Sequence, residues 1–106
     1  MAKFLVEAKY STEGVKGLLK EGGSSRRTAV AQGIQSLGGK VEAFYFAFGE
    51  TDAYVIVDLP DNASMTAIAL TVGASGAASV KTTVLMTPEE VDQAAKKSPS
   101  YRPPGK

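Results

Sequence analysis

The sequence predicts an α+β domain in which two βαβ units share one four-stranded antiparallel sheet. Two observations indicate this fold: four segments rich in β-branched and aromatic residues, and helical segments interleaved with them in the order β-α-β-β-α-β. The length of 106 residues fits a single domain, and 43% apolar residues are enough for one core.

In the first half of the chain, residues 3–10 (KFLVEAKY) predict a strand, and Ser11 is a suitable N-cap for a short helix. A Gly-Gly pair at 22–23 predicts a break, after which a second helix runs to the Gly-Gly pair at 38–39. Residues 41–48 (VEAFYFAF) then predict the second strand.

In the second half, a polar turn at 49–52 joins the second strand to the third, residues 53–59, as a hairpin. Asp61 caps the next helix, and residues 78–86 predict the fourth strand. A last helix begins at Thr87, where a capping residue precedes proline and two glutamates. With right-handed crossovers this order gives a ferredoxin-like sheet with its helices on one face.

The other face of that sheet is expected to be open and apolar. Alternate residues of a strand face opposite sides of the sheet. In the second strand we expect the smaller residues to lie under the helices, which places Phe44 and Phe46 on the open face. The alternative is that the two sets of residues are exchanged, with the phenylalanines under the helices. Such a patch usually marks an interface, so we expect a dimeric α+β barrel, a homodimer or higher homo-oligomer. The predicted patch comprises Leu5, Phe44, Phe46, Tyr54, Ile56 and Leu85.

The C-terminal segment differs from the rest in composition. We assign residues 1–97 to the domain and 98–106 to a proline-rich tail; the last eleven residues contain four bases and no acid. Such an arm is expected to lie on its own subunit or on a neighbour.

The composition excludes several functional classes. Cysteine and histidine are absent, which excludes thiol nucleophiles, zinc fingers and Ser-His-Asp triads. The net charge of +1 argues against nucleic acid as a partner. No apolar run is long enough for a signal peptide or a membrane span, so we expect a cytoplasmic protein with no membrane partner.

Three blocks of the sequence, KFLVEAKYSTEGVKGLLKEGGSSRR, LGGKVEAFYFAFGETDAYVIVDLPD and KTTVLMTPEEV, resemble a bacterial GYD-domain protein. The Gly-Tyr-Asp signature of that family aligns with residues 48–52, where Thr51 occupies the position expected of the tyrosine. The resemblance implies a fold of the dimeric α+β barrel group and implies little chemistry.

Two candidate sites follow from the predicted placement of side chains. The first is a cavity above the open face, a mixture of aromatic and charged groups typical of small-molecule sites: Glu7, Lys9, Phe44, Phe46, Asp52, Tyr54 and Lys81. Asp52 is either a turn residue or a general base, and Lys81 is the expected ionic partner of Glu7. The second is an anion site at the start of a helix: Ser24, Ser25, Arg26 and Arg27.

Three functions remain compatible with the sequence. The favoured one is a small-molecule binding or sensing module that forms an oligomer. The alternatives are a cofactor-free oxygenase or isomerase of the barrel group and a purely structural oligomer. We assign no catalytic residue, no metal ligand and no cofactor.

Overall fold

A computed structural model describes all residues, 1–106, and contains four strands and four helices. In chain order they are β1 (Ala2–Tyr10), α1 (Thr12–Glu21), α2 (Gly23–Ser36), β2 (Lys40–Phe46), β3 (Ala53–Leu59), α3 (Asn62–Ser75), β4 (Ala78–Leu85) and α4 (Pro88–Ala95). The predicted break at 22–23 is the boundary between α1 and α2. No helix is both long and apolar enough to span a membrane.

The strands form one sheet in the order β2-β3-β1-β4, and every neighbouring pair is antiparallel. This order is that of the ferredoxin-like fold, with α2 and α3 on one face, so the predicted fold class is confirmed. Because β1 and β3 are the central strands, their alternate residues supply most of the core.

Three of the predicted helix caps are present as hydrogen bonds. The side chain of Ser11 accepts from Gly14, that of Asp61 from Ser64, and that of Thr87 from Glu90 in a complete capping box. The backbone N–H of Ser64 lowers the pKa of Asp61, because it stabilises the ionised carboxylate.

The core lies between the sheet and the two crossover helices. Phe4, Val57 and Leu59 are its most deeply buried large side chains, with Ile34 from α2 and Met65 from α3 packed against them. Phe4 and Val6 of β1 and Val55 and Val57 of β3 all belong to this cluster, so their side chains lie on the helix face of the sheet.

The prediction of which β2 residues face the helices was wrong beyond Val41. Val41 pairs with Val57 on the helix face as expected, but the register shifts between Val41 and Ala43. This bulge adds one residue and reverses the alternation, so that Phe44 pairs with Val55 and Phe46 with Ala53.

Both phenylalanines therefore lie on the helix face, and Tyr45 takes their place on the open face. The ring of Phe46 lies beside Gly23 of α2, where a built Cβ would be 2.9 Å from Cε2 of the ring. The expectation that only small residues fit beneath the helices fails here because α2 begins with a residue that has no side chain.

The C-terminal part projects away from the domain. The Cα radius of gyration is 16.9 Å and the longest extent 57 Å, whereas a compact chain of this length has a radius of gyration of about 13 Å. Residues 96–106 contain no helix or strand, and both Val91 of α4 and Tyr101 are more than half exposed. The tail therefore does not cover its own subunit.

Two glycines of α1 provide a matched test of how that helix is seated. A Cβ at Gly14 would collide with the carbonyl oxygen of Ala77, whereas a Cβ at Gly17 would meet nothing. We expect Gly14→Ala to lower the free energy of unfolding by about 1–3 kcal/mol. Gly17→Ala should raise it by up to about 1 kcal/mol, since alanine is the better helix former. Urea unfolding measures both, and equal effects would contradict this seating of α1.

Deletion of residues 98–106 tests whether the tail contributes to the domain. Because no regular structure involves the tail, we expect the unfolding free energy to change by no more than about 0.5 kcal/mol. Thermal unfolding followed by circular dichroism gives this value, and a truncated chain that fails to fold would show that the tail belongs to the core.

Candidate functional site

The structure divides the first predicted site between the two faces of the sheet. Glu7, Lys9, Tyr54 and Lys81 lie on the open face, and Glu7 pairs directly with both Tyr54 and Lys81. The phenylalanines lie on the opposite face, as described above. The seven residues therefore do not line one cavity.

Glu7 does not form the predicted ion pair with Lys81, although the two residues are cross-strand neighbours. Its carboxylate accepts a hydrogen bond of 3.3 Å from the hydroxyl of Thr51 instead. Thr51 occupies the signature position expected of tyrosine, so a short polar side chain links the turn to β1 here.

Asp52 acts as a structural turn residue. Its carboxylate accepts a 2.9 Å hydrogen bond from the backbone N–H of Tyr10 and lies 3.4 Å from Nζ of Lys9. Its own N–H donates to the carbonyl of Ala8. These bonds fasten the β2–β3 turn to the end of β1, and they support the structural interpretation of Asp52 over the general-base one.

A charged cluster at the other end of the open face was not predicted. Nζ of Lys3 lies 2.7 Å from Glu42 and 2.9 Å from Asp58, and the hydrogen bonds that it donates to these two carboxylates raise the pKa of Lys3. Asp58 is buried. The alternation of β1 and β3 places Lys3 and Asp58 on the same face, but the contact with Glu42 depends on the bulge in β2.

The second predicted site is a helix start whose two arginines diverge. No side chain caps α2, because Gly22, with φ of 84°, occupies its N-cap position. Arg26 lies beside Glu21, whereas Arg27 borders a shallow depression with Ser24, Phe44 and Phe46. The structure therefore does not bring the two guanidinium groups onto one anion.

A cleft between the helices and the sheet is the most enclosed of the main concavities of the molecule, although not the largest. It has a volume of about 340 Å³, and 11 of its 14 lining residues are hydrophobic. Its floor is formed by β1, β3 and β4 and its walls by α2 and α3, which pack on the sheet rather than against each other. The lining residues are Val6, Ala8, Arg26, Val30, Ile34, Val55, Val57, Ile68, Thr71, Val72, Ser75, Ala77, Ala78 and Val80.

One end of this cleft is polar. Arg26 is the only charged residue in its lining, and Tyr10 stands at the same end, since it pairs with Ala78 of the floor. Burial raises the pKa of Tyr10. The positive charge of Arg26 lowers this pKa, whereas the negative charges of Asp52 and Glu21 raise it further. The phenol is therefore protonated at neutral pH and can donate a hydrogen bond.

The cleft was missed because the helical periodicity accounts for its residues as ordinary core. Val30, Ile34, Ile68 and Val72 form the stripes expected of helices that cover a sheet. The sequence signal that could have indicated the cleft is the abundance of small residues in 73–79, which leaves one end of the space between α3 and the sheet loosely packed.

The arrangement favours ligand binding over metal chemistry. No group of three or more His, Cys, Asp or Glu side chains is positioned to hold a metal ion. The cleft instead combines apolar walls with one guanidinium, that of Arg26, and two hydroxyl groups, those of Thr71 and Ser75, which is the pattern of pockets for small organic molecules.

Comparisons with curated proteins and with solved structures find no match to this chain. The GYD domain family model, in contrast, matches residues 4–95, which include every strand and helix except the first two residues of β1. The matched segment contains the cleft, the open face and the turn at 48–52. The chain therefore belongs to the GYD domain family.

Proposed function

We propose that this protein is a small-molecule binding or sensing module whose ligand occupies the cleft between α2 and α3. The observation that carries the proposal is the cleft itself, about 340 Å³ of mostly apolar space above the centre of the sheet. Well-packed cores of small domains contain few voids larger than a water molecule, and ligand pockets begin at about 300 Å³.

The lining favours binding over the enzymatic alternative. It contains no carboxylate and no amide side chain, and its hydroxyl groups, Thr71 and Ser75, are both on α3. A base beside a nucleophile is the usual requirement for acyl transfer or proton abstraction, and the cleft does not present one. An apolar ligand held by shape and one polar end fits these side chains better.

A larger side chain inside the cleft should weaken ligand binding. Val80 and Thr82 lie on the same face of β4, but Val80 lines the cleft and Thr82 borders a separate depression beside Phe4. We expect Val80→Phe to weaken binding of the neutral probe 1-octanol roughly tenfold or more, and Thr82→Phe to leave it unchanged.

Binding is measured by titrating the wild type and each variant with 1-octanol while amide chemical shifts are monitored. Thermal unfolding is the control that shows whether both variants fold. The wild-type shifts should concentrate in α2, α3 and the floor strands. Absence of binding by the wild type, or equal weakening by both substitutions, would contradict the proposed site.

We further propose that the protein forms a homodimer through the open face of the sheet. Tyr45 is 71% exposed and Tyr54, its direct cross-strand partner, 41% exposed, with Ile56 and Leu5 beside them. These side chains form an apolar centre that only a second molecule could remove from water.

The charges around that centre suit a second copy of the same chain. Lys3 contacts Glu42 and Asp58, Lys40 is the cross-strand neighbour of Asp58, and Lys9 contacts Asp52, so these charges balance. Two such faces can meet across a two-fold axis without bringing unpaired charges of one sign together. The remaining charges, Glu7 and Lys81, are opposite in sign and are cross-strand neighbours.

A charge at the centre of the open face should separate the subunits. We expect Tyr45→Glu to shift the protein from dimer to monomer, because a buried unpaired carboxylate strongly opposes association. Leu70→Glu, on the exposed side of α3, is the matched control, since Leu70 is 69% exposed and outside the sheet. Light scattering at micromolar concentration measures the mass. A monomeric wild type, or a Tyr45→Glu variant that remains dimeric, would contradict this interface.

A further inference from the structure

We infer that the ligand of the cleft is a monocarboxylate with an apolar body, and that Arg26 binds its carboxylate. This inference rests on the proposed function and specifies the chemical class of the ligand. It depends on where the side chain of Arg26 lies and on which hydrogen bonds its guanidinium leaves unmade.

Arg26 is the one charged group in a mostly apolar lining, and its hydrogen-bonding capacity is unused. Its guanidinium donates no hydrogen bond within the chain, and its nearest acidic atom is Oε1 of Glu21, at 3.5 Å from Nη1. A guanidinium presents five N–H donors in a planar fork that matches the two oxygens of a carboxylate. Arg26 can therefore bind a ligand carboxylate without giving up a bond in the core.

The position of Arg26 sets the orientation of the ligand. Arg26 belongs to the first turn of α2, at the end of the cleft where Tyr10 also stands, and its side chain is 37% exposed. A carboxylate at this end stays partly hydrated, which limits the cost of its desolvation, while the apolar body extends toward Ile34 and Ile68.

The other charges at this end restrict the ligand to a single negative charge. Glu21 and Asp52 are both close enough to affect the pKa of Tyr10. Asp52 is engaged by Lys9 and by a backbone N–H, but Glu21 competes directly for Arg26. A monoanion can replace Glu21 beside the guanidinium, whereas a dianion would meet more repulsion from the two carboxylates.

The volume of the cleft limits the size of the ligand. At roughly 30 Å³ per water molecule in the liquid, the cleft corresponds to about eleven waters, which suits a medium-chain or small aromatic carboxylate. Octanoate and 1-octanol are therefore a matched pair of probes that differ in the charged head and share the apolar chain.

The test compares the two probes on three variants by calorimetry and amide chemical shifts. We expect the wild type to bind octanoate about tenfold more tightly than 1-octanol, as a hydrogen bond to a charged group would provide. Arg26→Gln should remove this preference and leave the affinity for 1-octanol unchanged. Arg27→Gln, the same change at the next residue, should retain the preference, since Arg27 lies outside the cleft.

A third variant gives an effect of the opposite sign. Glu21→Gln removes the competitor of the ligand, so octanoate should bind more tightly than it does to the wild type while 1-octanol is unaffected. Equal affinities of the wild type for the two probes would overturn the inference and leave the proposed function intact. Failure of both probes to bind would overturn both, and loss of the preference in Arg27→Gln would place the carboxylate elsewhere.

Discussion

One extra residue in β2 determines what each face of the sheet presents. The bulge between Val41 and Ala43 reverses the alternation of the strand, so that Phe44 and Phe46 are directed to the helices and Tyr45 to the open face. The carboxylate of Glu42, the residue within the bulge, lies 2.7 Å from Nζ of Lys3 on β1. The pairing with Lys3 and the packing of Phe44 against the core therefore both favour the same register.

The position of the phenylalanines also accounts for the gap between the helices. Phe44 and Phe46 pack edge to face with ring centroids 5.1 Å apart, and Phe46 lies against Gly23 at the start of α2. These contacts hold α2 over the β2 edge, while α3 packs mainly on β4. The two helices consequently stand apart above the central strands, and the cleft is the space that remains between them.

The sequence was sufficient for the fold because the signals that define it are local. Strand composition, the caps Ser11, Asp61 and Thr87, and the Gly-Gly break at 22–23 each act within a few residues of the chain. The bulge could not be predicted because it shows only in the pairing of β2 with β3 and in the contact of Glu42 with Lys3, which is distant in sequence. With that register lost, the assignment of Phe44 and Phe46 to the open-face site was lost as well.

The candidate site was only partly predictable for a related reason. Arg26 was predicted to bind an anion from its place at the helix start, whereas the structure places it in the lining of the cleft, which arises from the spacing of α2 and α3 rather than from any motif. Arg27 was grouped with it because the two are neighbours in sequence. On a helix, successive side chains point about 100° apart, so adjacent arginines face different surroundings.

The two proposed surfaces share the strand between them. In β1, Val6 and Ala8 contribute to the floor of the cleft, whereas Leu5, Glu7 and Lys9 face the opposite side. At the end of this strand, Asp52 binds both the backbone of Tyr10, beside the polar end of the cleft, and the ammonium group of Lys9 on the open face. Since a sheet is one layer thick, the proposed association on one side and the proposed ligand binding on the other would act on the same backbone. The hairpin turn that contains the family signature is the point at which the two are joined.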